Sequence, residues 1–261
     1  FLHRFIHTMT IAGVLGAFFG LLVYVMQPVN RFVGTFFDYR FHTDYWPNAW
    51  AEFILLAWPV IVLWMREKSA RLQAVGCLIL GMVLGTLLLS YSRGAMMAFG
   101  GQLLLLVAWQ WMHRRKLGSE WKIENGKLKI AGAKIAMVFS VAIAIFFGAN
   151  AVRGEFHAVQ SIGEKITFTA DEGGSSIDER EQFWKQSIAL ISQRPLFGWG
   201  PYSFRFVQQR LQTGVLQTSD HPHNVFLKLA AERGIPAAVL FIFIIIAVLI
   251  PYIRRSQSSH Q

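Results

Sequence analysis

The sequence has little charge and almost no cysteine for its length. Only 15% of its 261 residues are charged, whereas soluble domains carry about 25%. Apolar residues make up 54%, and the mean hydropathy is +0.39. These values exclude an ordinary soluble domain and indicate a membrane protein. Cys77 is the single cysteine and lies inside an apolar run, which excludes an internal disulfide and a thiolate metal cluster.

Several signatures of other function classes are also missing from the sequence. It has no G-x-x-x-x-G-K-[ST] phosphate loop and no G-x-S-x-G nucleophile turn. His221 and His223 could bind zinc, but no third ligand stands at a recognisable spacing, and we expect neither a metal nor a cofactor. The net charge of +10 does not indicate nucleic-acid binding, because the basic residues cluster between apolar runs as they do in membrane proteins.

Six apolar runs predict transmembrane helices, since a span needs about 20 mostly apolar residues. They are Thr8–Gln27, Trp50–Met65, Leu72–Tyr91, Ala95–Met112, Ile130–Asn150 and Pro236–Ile253. The second run is short, and Pro59 predicts a kink in it. The predicted fold is therefore an all-α polytopic membrane protein with about six transmembrane helices in this part of the chain.

The basic residues predict the orientation of these helices. Arg66, Lys68 and Arg71 form one cluster, and a second cluster extends from Arg114 to Lys134. Two apolar runs separate the clusters, so both face the same side, which the positive-inside rule identifies as the cytoplasm. The sequence thus divides into residues 1–150 with five helices, 151–235 as a long loop on the side opposite the cytoplasm, and 236–261 as the last helix with a cytoplasmic tail.

Two segments face the outer side in this topology. Pro28–Asn48 is rich in aromatic residues, which favours an interfacial belt, with lipid or glycan binding as the alternative. The longer segment is Ala151–Pro222. In it, Ser176 to Glu179 has the spacing of a capping box and predicts a helix start. One face of that helix predicts a position on the membrane interface; its residues are Phe183, Trp184, Ser187, Ile188 and Ile191.

The rest of the longer segment contains two motifs around which the chain is organised. Pro195–Pro201 has too much glycine and proline for a regular element and predicts a tight aromatic turn. A short helix is predicted over Tyr202–Gln212. A further helix is predicted to start at His223 or Asn224, with Asn224 as a favoured N-cap, and to end at Gly234. His221 and His223 then lie at the positive end of the helix dipole, which favours neutral imidazole.

Three residues in this pattern point to chemistry on a phosphorylated lipid. Arg93 lies between two apolar runs at the outer face, where an ionisable side chain is a functional candidate; snorkelling to lipid phosphates is the alternative. Arg180 could equally form a surface ion pair, and His223 could serve only as a cap. Together, two arginines could bind a diphosphate while a histidine takes a proton from a hydroxyl. One reaction that suits this pattern, though not the only one, is metal-independent glycosyl transfer from a lipid-linked donor.

At these residues the sequence resembles the O-antigen ligase and polymerase superfamily of bacterial envelope glycan enzymes. The resemblance is carried by Ser175 through Trp184, by RPLFGWGPYSF, by His221-Pro-His223-Asn224-Val-Phe-Leu with Gly234, and by Ser92-Arg93-Gly94. It covers roughly Leu72 to Ile250. Ligases of this superfamily are inner-membrane enzymes with roughly twelve helices, so the resemblance implies that this chain corresponds to the C-terminal half.

The resemblance also implies site residues and partners. Arg93 and Arg180 would be catalytic and bind diphosphate, His223 would be the catalytic histidine, and His221 and Asn224 would contact substrate. The donor would be an undecaprenyl-diphosphate-linked glycan, the acceptor lipid A–core, and the active site would face the periplasm. An O-antigen polymerase and a protein O-oligosaccharyltransferase are the alternatives within the superfamily. A lipid-linked glycan transporter and a purely structural membrane subunit are alternatives from other classes.

Overall fold

A computed structural model of the chain describes residues 1–28, 31–34, 47–66, 68–116, 125–160, 176–211 and 221–258. These residues form helices and irregular segments, with no β-strand among them. The α-helices are α1 (Leu2–Met26), α2 (Pro47–Arg66), α3 (Ala70–Leu89), α4 (Arg93–Lys116), α5 (Asn125–Gly154), α6 (Ser176–Gln193), α7 (Phe204–Val207), α8 (Val225–Arg233) and α9 (Ile235–Ser258); a 3-10 helix covers Gln208–Leu211.

The predicted fold class is confirmed, because α1 to α5 each contain a stretch long and apolar enough to cross a membrane. They correspond in order to the first five predicted runs, and Pro59 lies within α2. The sixth run forms α9, in which the apolar stretch with described side chains is Ile235–Val248. Most of the aromatic segment, at 29–30 and 35–46, lies outside the described residues, as does 117–124 between the basic residues of the second cluster.

The chain divides into two compact units, Phe1–Ile166 and Thr167–Gln261. In the first unit, α3 packs closely against α5 because glycine replaces a side chain at two successive turns. A Cβ at Gly81 would lie 2.6 Å from the Cβ of Val141, and one at Gly85 would lie 2.7 Å from that of Ile145. Small residues spaced four apart allow membrane helices to approach in this way. The three-part division by membrane side stays a prediction.

The second unit has a small core of its own. Phe183 and Leu190 of α6 pack with Phe204 of α7 and Ala231 of α8. All four side chains are nearly inaccessible to solvent. Residues spaced seven apart on a helix lie on the same side of it, so α6 turns one face toward α8 and the short helices.

The predicted apolar face of α6 is therefore divided between two environments. Phe183 and Ser187 are buried in the unit, whereas Trp184 and Ile188 are exposed. The buried face continues at Leu190, which the prediction left out. Apolar residues at neighbouring positions cover a wide arc of a helix, and half of this arc contacts protein instead of facing the membrane interface.

Candidate functional site

The two motifs of the second unit are joined by backbone hydrogen bonds. The N–H groups of Trp199 and Gly200 donate to the carbonyls of Ala231 and Glu232, at 2.9 and 2.8 Å. Such carbonyls at the C-terminal end of α8 lack partners within their own helix. The turn that sequence analysis predicts over Pro195–Pro201 thus closes the end of the helix that follows the histidines.

Glycine allows this close approach at two positions. Gly198 has a φ of +65°, and a Cβ on it would lie 2.5 Å from the carbonyl carbon of Glu232. Gly234 ends α8 with a φ of +86°, and a Cβ there would collide with the Leu196 carbonyl group. Both positions favour glycine because a left-handed backbone strains other residues. The predicted C-cap at Gly234 is confirmed.

Asn224 is the N-cap of α8, as its residue type predicts. Its side-chain oxygen Oδ1 accepts hydrogen bonds from the backbone N–H groups of Phe226 at 3.0 Å and Leu227 at 3.2 Å. These N–H groups have no partner within the helix. The cap uses the oxygen of Asn224, so any substrate contact of this side chain falls to its amide nitrogen.

His223 precedes the cap in an unusual backbone conformation. Its φ is +53°, a left-handed value that costs a non-glycine residue about 1–2 kcal/mol. Such strain at a defined position is a reason to suspect function. The imidazole ring lies 4.6 Å from that of His221 and 6.2 Å from the ring of Phe183, centroid to centroid. A hydrogen bond of 3.0 Å from Trp184 Nε1 to the Pro222 carbonyl fixes the loop to α6.

The surroundings of His223 lower its pKa from the ordinary value of 6.5. Partial burial of the ring contributes most, because desolvation disfavours the charged imidazolium. The neighbouring His221 and the positive charge of Arg180 lower the pKa further. The sequence predicts the neutral form on the ground of the helix dipole, whereas packing and neighbouring charges are the causes found.

Arg180 and His223 come together in the second unit. Arg180 stands on α6, three residues before Phe183 and four before Trp184, and both of these residues contact the histidine loop. Side chains at these spacings share one face of a helix. The guanidinium is exposed, and its charge acts on the His223 ring. This arrangement can bind an anion beside a neutral imidazole.

Arg93 belongs to the first unit and is the first residue of α4. It follows a tight connection in which Ser90 and Tyr91 are buried and Tyr91 has a φ of +49°. Arg93 itself is half-buried. A Cβ at the adjacent Gly94 would meet no atom of the described residues within 4 Å. Gly94 lies within the helix, so it does not make the turn, and the space beside it is open.

Two further arginines of the first unit have defined partners that sequence analysis did not anticipate. Arg31 Nε donates to the carbonyl of Ser90 at 2.7 Å, in the connection that leads to Arg93. Arg153 is buried, and its guanidinium lies 4.7 Å from the ring centroid of Tyr24 and donates to the carbonyls of Tyr24, Gln27 and Ala158. The available signal was position, since both arginines stand at the predicted outer ends of apolar runs, where cations are depleted.

A polar chain beside Arg153 leads to the same connection. The hydroxyl of Tyr24 donates to Asn150 Oδ1 at 2.7 Å, and Asn150 Nδ2 donates to the hydroxyl of Tyr91 at 3.0 Å. Tyr91 also meets the ring of Phe146 edge-on, with centroids 5.7 Å apart. These contacts hold Tyr91 in its left-handed conformation, two residues before Arg93.

The described residues contain no group of three or more His, Cys, Asp and Glu side chains arranged to hold a metal ion. His221 and His223 form a pair of rings. The roles assigned to these histidines, to Asn224 and to the two arginines stay predictions.

Comparison with known proteins gives one informative result. A family model described as O-antigen ligase matches residues 77–242, which is more than half of the chain. The match begins within α3, includes Arg93, Arg180 and the histidine loop, and ends within α9. Searches of curated proteins and of solved structures find no match.

Proposed function

This chain belongs to the O-antigen ligase family, and from this premise we propose that it is a glycosyltransferase of lipopolysaccharide biosynthesis. It transfers O-antigen glycan from undecaprenyl diphosphate to a sugar hydroxyl of lipid A–core. The observation that carries the proposal is the loop that holds His223 in a left-handed conformation beside Arg180 and lowers its pKa. A neutral histidine next to a fixed positive charge suits proton transfer coupled to departure of an anion.

The reaction follows from these side chains. His223 accepts the proton of the acceptor hydroxyl while the hydroxyl oxygen forms a bond to the anomeric carbon of the donor. The bond from that carbon to the diphosphate oxygen breaks, and the diphosphate leaves with the bonding electron pair. Arg180 and Arg93 bind the diphosphate, because guanidinium pairs with phosphate oxygens in a bidentate manner and keeps its charge. Direct displacement of this kind inverts the anomeric configuration.

The contributions of these residues to the rate can be ranked by size. General base catalysis by a positioned histidine contributes about 10²–10⁴-fold. Removal of one donor that stabilises transition-state charge costs about 10²–10³-fold in other enzymes. His221 and Asn224 position the loop and contact the substrate, and neither needs to exchange a proton. The step requires no metal and no cofactor.

We also propose the location of the reaction. The chain is a multi-pass membrane protein, and its basic clusters orient it in the bacterial inner membrane with residues 151–235 facing the periplasm. Lipid-linked glycan and lipid A–core both meet the enzyme at the outer leaflet. The neighbouring membrane lipids are the remaining partners.

The alternatives differ in what enters the acceptor side. An O-antigen polymerase accepts a growing lipid-linked glycan, and a protein O-oligosaccharyltransferase accepts a protein hydroxyl; both would use the same arginines and histidine. A lipid-linked glycan transporter would use the arginines without a base. The structural-subunit alternative predicts effects of Arg93→Ala and Arg180→Ala through folding alone.

The test is reconstitution of the full-length protein with lipid-linked O-antigen and lipid A–core, without added metal and with a chelator present. We expect glycan on lipid A–core when the products are separated by gel. Lengthened glycan that remains on the polyprenyl carrier would identify a polymerase. If folded protein forms neither product, the protein-acceptor and transporter alternatives become the leading ones.

The matched variants are His223→Ala and His221→Ala in the same assay. We expect His223→Ala to lower turnover by at least about 10²-fold, since it removes the base. His221→Ala should retain more activity, because it removes a neighbour and not the proton acceptor. Protein abundance and thermal unfolding are compared in both variants. Unchanged transfer by folded His223→Ala contradicts the proposed mechanism.

A further inference from the structure

The turn between α6 and α7 presents apolar side chains to the outside of the second unit. Phe197 is 86% exposed and Leu196 63%. They are adjacent and stand between Arg194 and the Gly198–Gly200 segment. Contiguous exposed apolar residues mark interaction surfaces in a folded protein. We name residues 194–202 the aromatic turn.

Leu196 and Phe197 lie on a backbone segment that hydrogen bonds hold in place. Four hydrogen bonds fix the aromatic turn: Gly198 N–H to Arg194, Trp199 N–H to Ala231, Gly200 N–H to Glu232, and Ile235 N–H to Pro195. In addition, Trp199 Nε1 donates to the Leu190 carbonyl at 3.0 Å. The two apolar side chains are therefore held outward by a preformed structure, which avoids an ordering cost when they meet a partner.

The position of the turn identifies the level of the membrane surface. The Pro195 carbonyl accepts the N–H of Ile235, the first residue of α9, at 2.8 Å. From there α9 continues as an apolar helix with outward-facing residues such as Leu240 and Phe243. The aromatic turn thus lies beside the point where α9 is predicted to enter the bilayer. Aromatic residues are enriched at this depth.

The charge around the turn fits an anionic surface. Within the described stretches 194–211 and 221–235, the basic residues are Arg194, Arg205, Arg210, Lys228 and Arg233. Glu232 is the one acidic residue there, and it is buried, with its carboxylate facing the backbone N–H of Phe204 at 3.4 Å. Cations close to anionic headgroups bind them electrostatically.

Cation–aromatic pairs connect this charge to the turn. The guanidinium of Arg194 lies 4.2 Å from the ring centroid of Trp199, and the ammonium of Lys228 lies 5.6 Å from that of Tyr202. A cation beside an aromatic ring suits the boundary between headgroups and acyl chains, where each side chain has an apolar part and a polar part.

We infer that the aromatic turn inserts into the outer surface of the bilayer, with Leu196 and Phe197 among the acyl chains and the adjacent basic residues on anionic phospholipid headgroups. The turn closes the end of α8, and α8 carries the Asn224 cap at its other end. Nine residues of helix span about 14 Å. Anchoring the turn therefore holds His223 about one length of α8 from the point where α9 enters the membrane.

The test uses the full-length protein with Cys77 and any other cysteine replaced, reconstituted in vesicles of phosphatidylethanolamine and phosphatidylglycerol. A polarity-sensitive fluorophore is attached at Phe197→Cys. The matched control is Gln209→Cys, an exposed polar position on the 3-10 helix of the same unit. Lipids with an acyl-chain nitroxide should quench the label at 197 more than the label at 209, and aqueous iodide should show the opposite preference.

Two results would overturn the inference. One is iodide quenching at 197 as strong as at 209, which would leave the turn in water. The other is protection of the 197 label from both quenchers, which would mean that protein covers the turn. The role of charge is tested with vesicles of phosphatidylcholine alone: weaker nitroxide quenching is expected, and equal quenching would contradict headgroup binding. The measurement needs no glycan substrate, so it is independent of the proposed reaction.

Discussion

At the scale of single residues, the pKa of His223 is the most direct quantity to measure. Partial burial, His221 and Arg180 lower it from 6.5. The ring is therefore neutral at pH 6.5 and above, and it is protonated only as the pH falls through the lowered pKa. Proton acceptance from a hydroxyl then persists below pH 6.5, and the acid limb of kcat/KM lies below the pKa of free histidine.

Substitution of Arg180 tests the cause of this shift. We expect Arg180→Gln to raise the pKa of His223, because it removes a positive charge that disfavours imidazolium. Arg180→Lys should leave the pKa near that of the unmodified protein while it weakens diphosphate binding. The pH dependence of histidine acylation by diethylpyrocarbonate, which reacts with neutral imidazole, reports the pKa without substrate. Identical profiles for the two variants would argue against an electrostatic effect of Arg180 on His223.

The same residue links stability to pH in a defined direction. The unfolded chain binds a proton on His223 more readily than the folded chain does, so folding stability rises with pH in this window. The contribution is complete above pH 6.5 and is lost as the pH falls through the lowered pKa. His223→Gln should remove this dependence on pH. Glutamine tolerates the left-handed φ of +53° at this position no better than histidine does, so the substitution does not relieve backbone strain.

At the scale of elements, the aromatic turn and α8 support one another through glycine. We expect Gly198→Ala to lower the free energy of unfolding of the second unit by about 2 kcal/mol or more, since it adds a left-handed alanine and a contact with Glu232. Protection of the Trp199 and Gly200 amides from hydrogen exchange should fall with it. Gly94→Ala is the matched control, because its Cβ meets open space in a helix, and it should be neutral or stabilising by up to about 1 kcal/mol.

The outcome of Gly94→Ala has a second use. A loss of glycosyl transfer at unchanged stability would indicate that substrate approaches the backbone beside Arg93. Full protection of the Trp199 and Gly200 amides in Gly198→Ala would contradict the proposed dependence of the turn on close packing.

How far these elements could be predicted depends on whether their cause is local. Asn224 and Gly234 were predictable as caps because a cap depends on residue type and immediate neighbours. The six apolar runs were predictable from hydropathy, and the ends of their helices lie within six residues of the ends of the runs. The face of α6 was not, because burial of Leu190 depends on Phe204 and Ala231, which come from other parts of the chain.

The candidate site shows the same limit. Proximity of Arg180 to His223 needs the Trp184 and Phe183 contacts with the loop, and no spacing in the sequence gives these. The left-handed conformation of His223 was likewise not predictable, because a residue with a Cβ atom disfavours positive φ. The hydrogen bonds that tie the aromatic turn to α8 join positions more than 30 residues apart, and no local pattern in the sequence indicates such pairs.

At the scale of the whole molecule, function depends on which side of the membrane the histidine loop and the connection before Arg93 face. The basic residues near α2, α3, α4 and α5 predict one cytoplasmic side, and the connection at Tyr91–Arg93 then faces outward. Arg31 and Arg153 stand at that outer end as well, against the usual distribution of cations. Their partners include backbone carbonyls, the Asn48 side chain and the ring of Tyr24, so these arginines make contacts within the protein.

This topology makes a prediction that one labelling experiment checks in intact cells. Single cysteines at Gln160 and Gln209 should react with a membrane-impermeant maleimide added from outside, since both positions lie in the proposed periplasmic segment. A cysteine at Lys68, in the predicted cytoplasmic cluster, should react only after the membrane is permeabilised. Reaction of Lys68→Cys in intact cells, or protection of Gln209→Cys until permeabilisation, would reverse the orientation. It would also separate Arg180 and His223 from a donor at the outer leaflet, because α6 and the histidine loop belong to the same unit as Gln209.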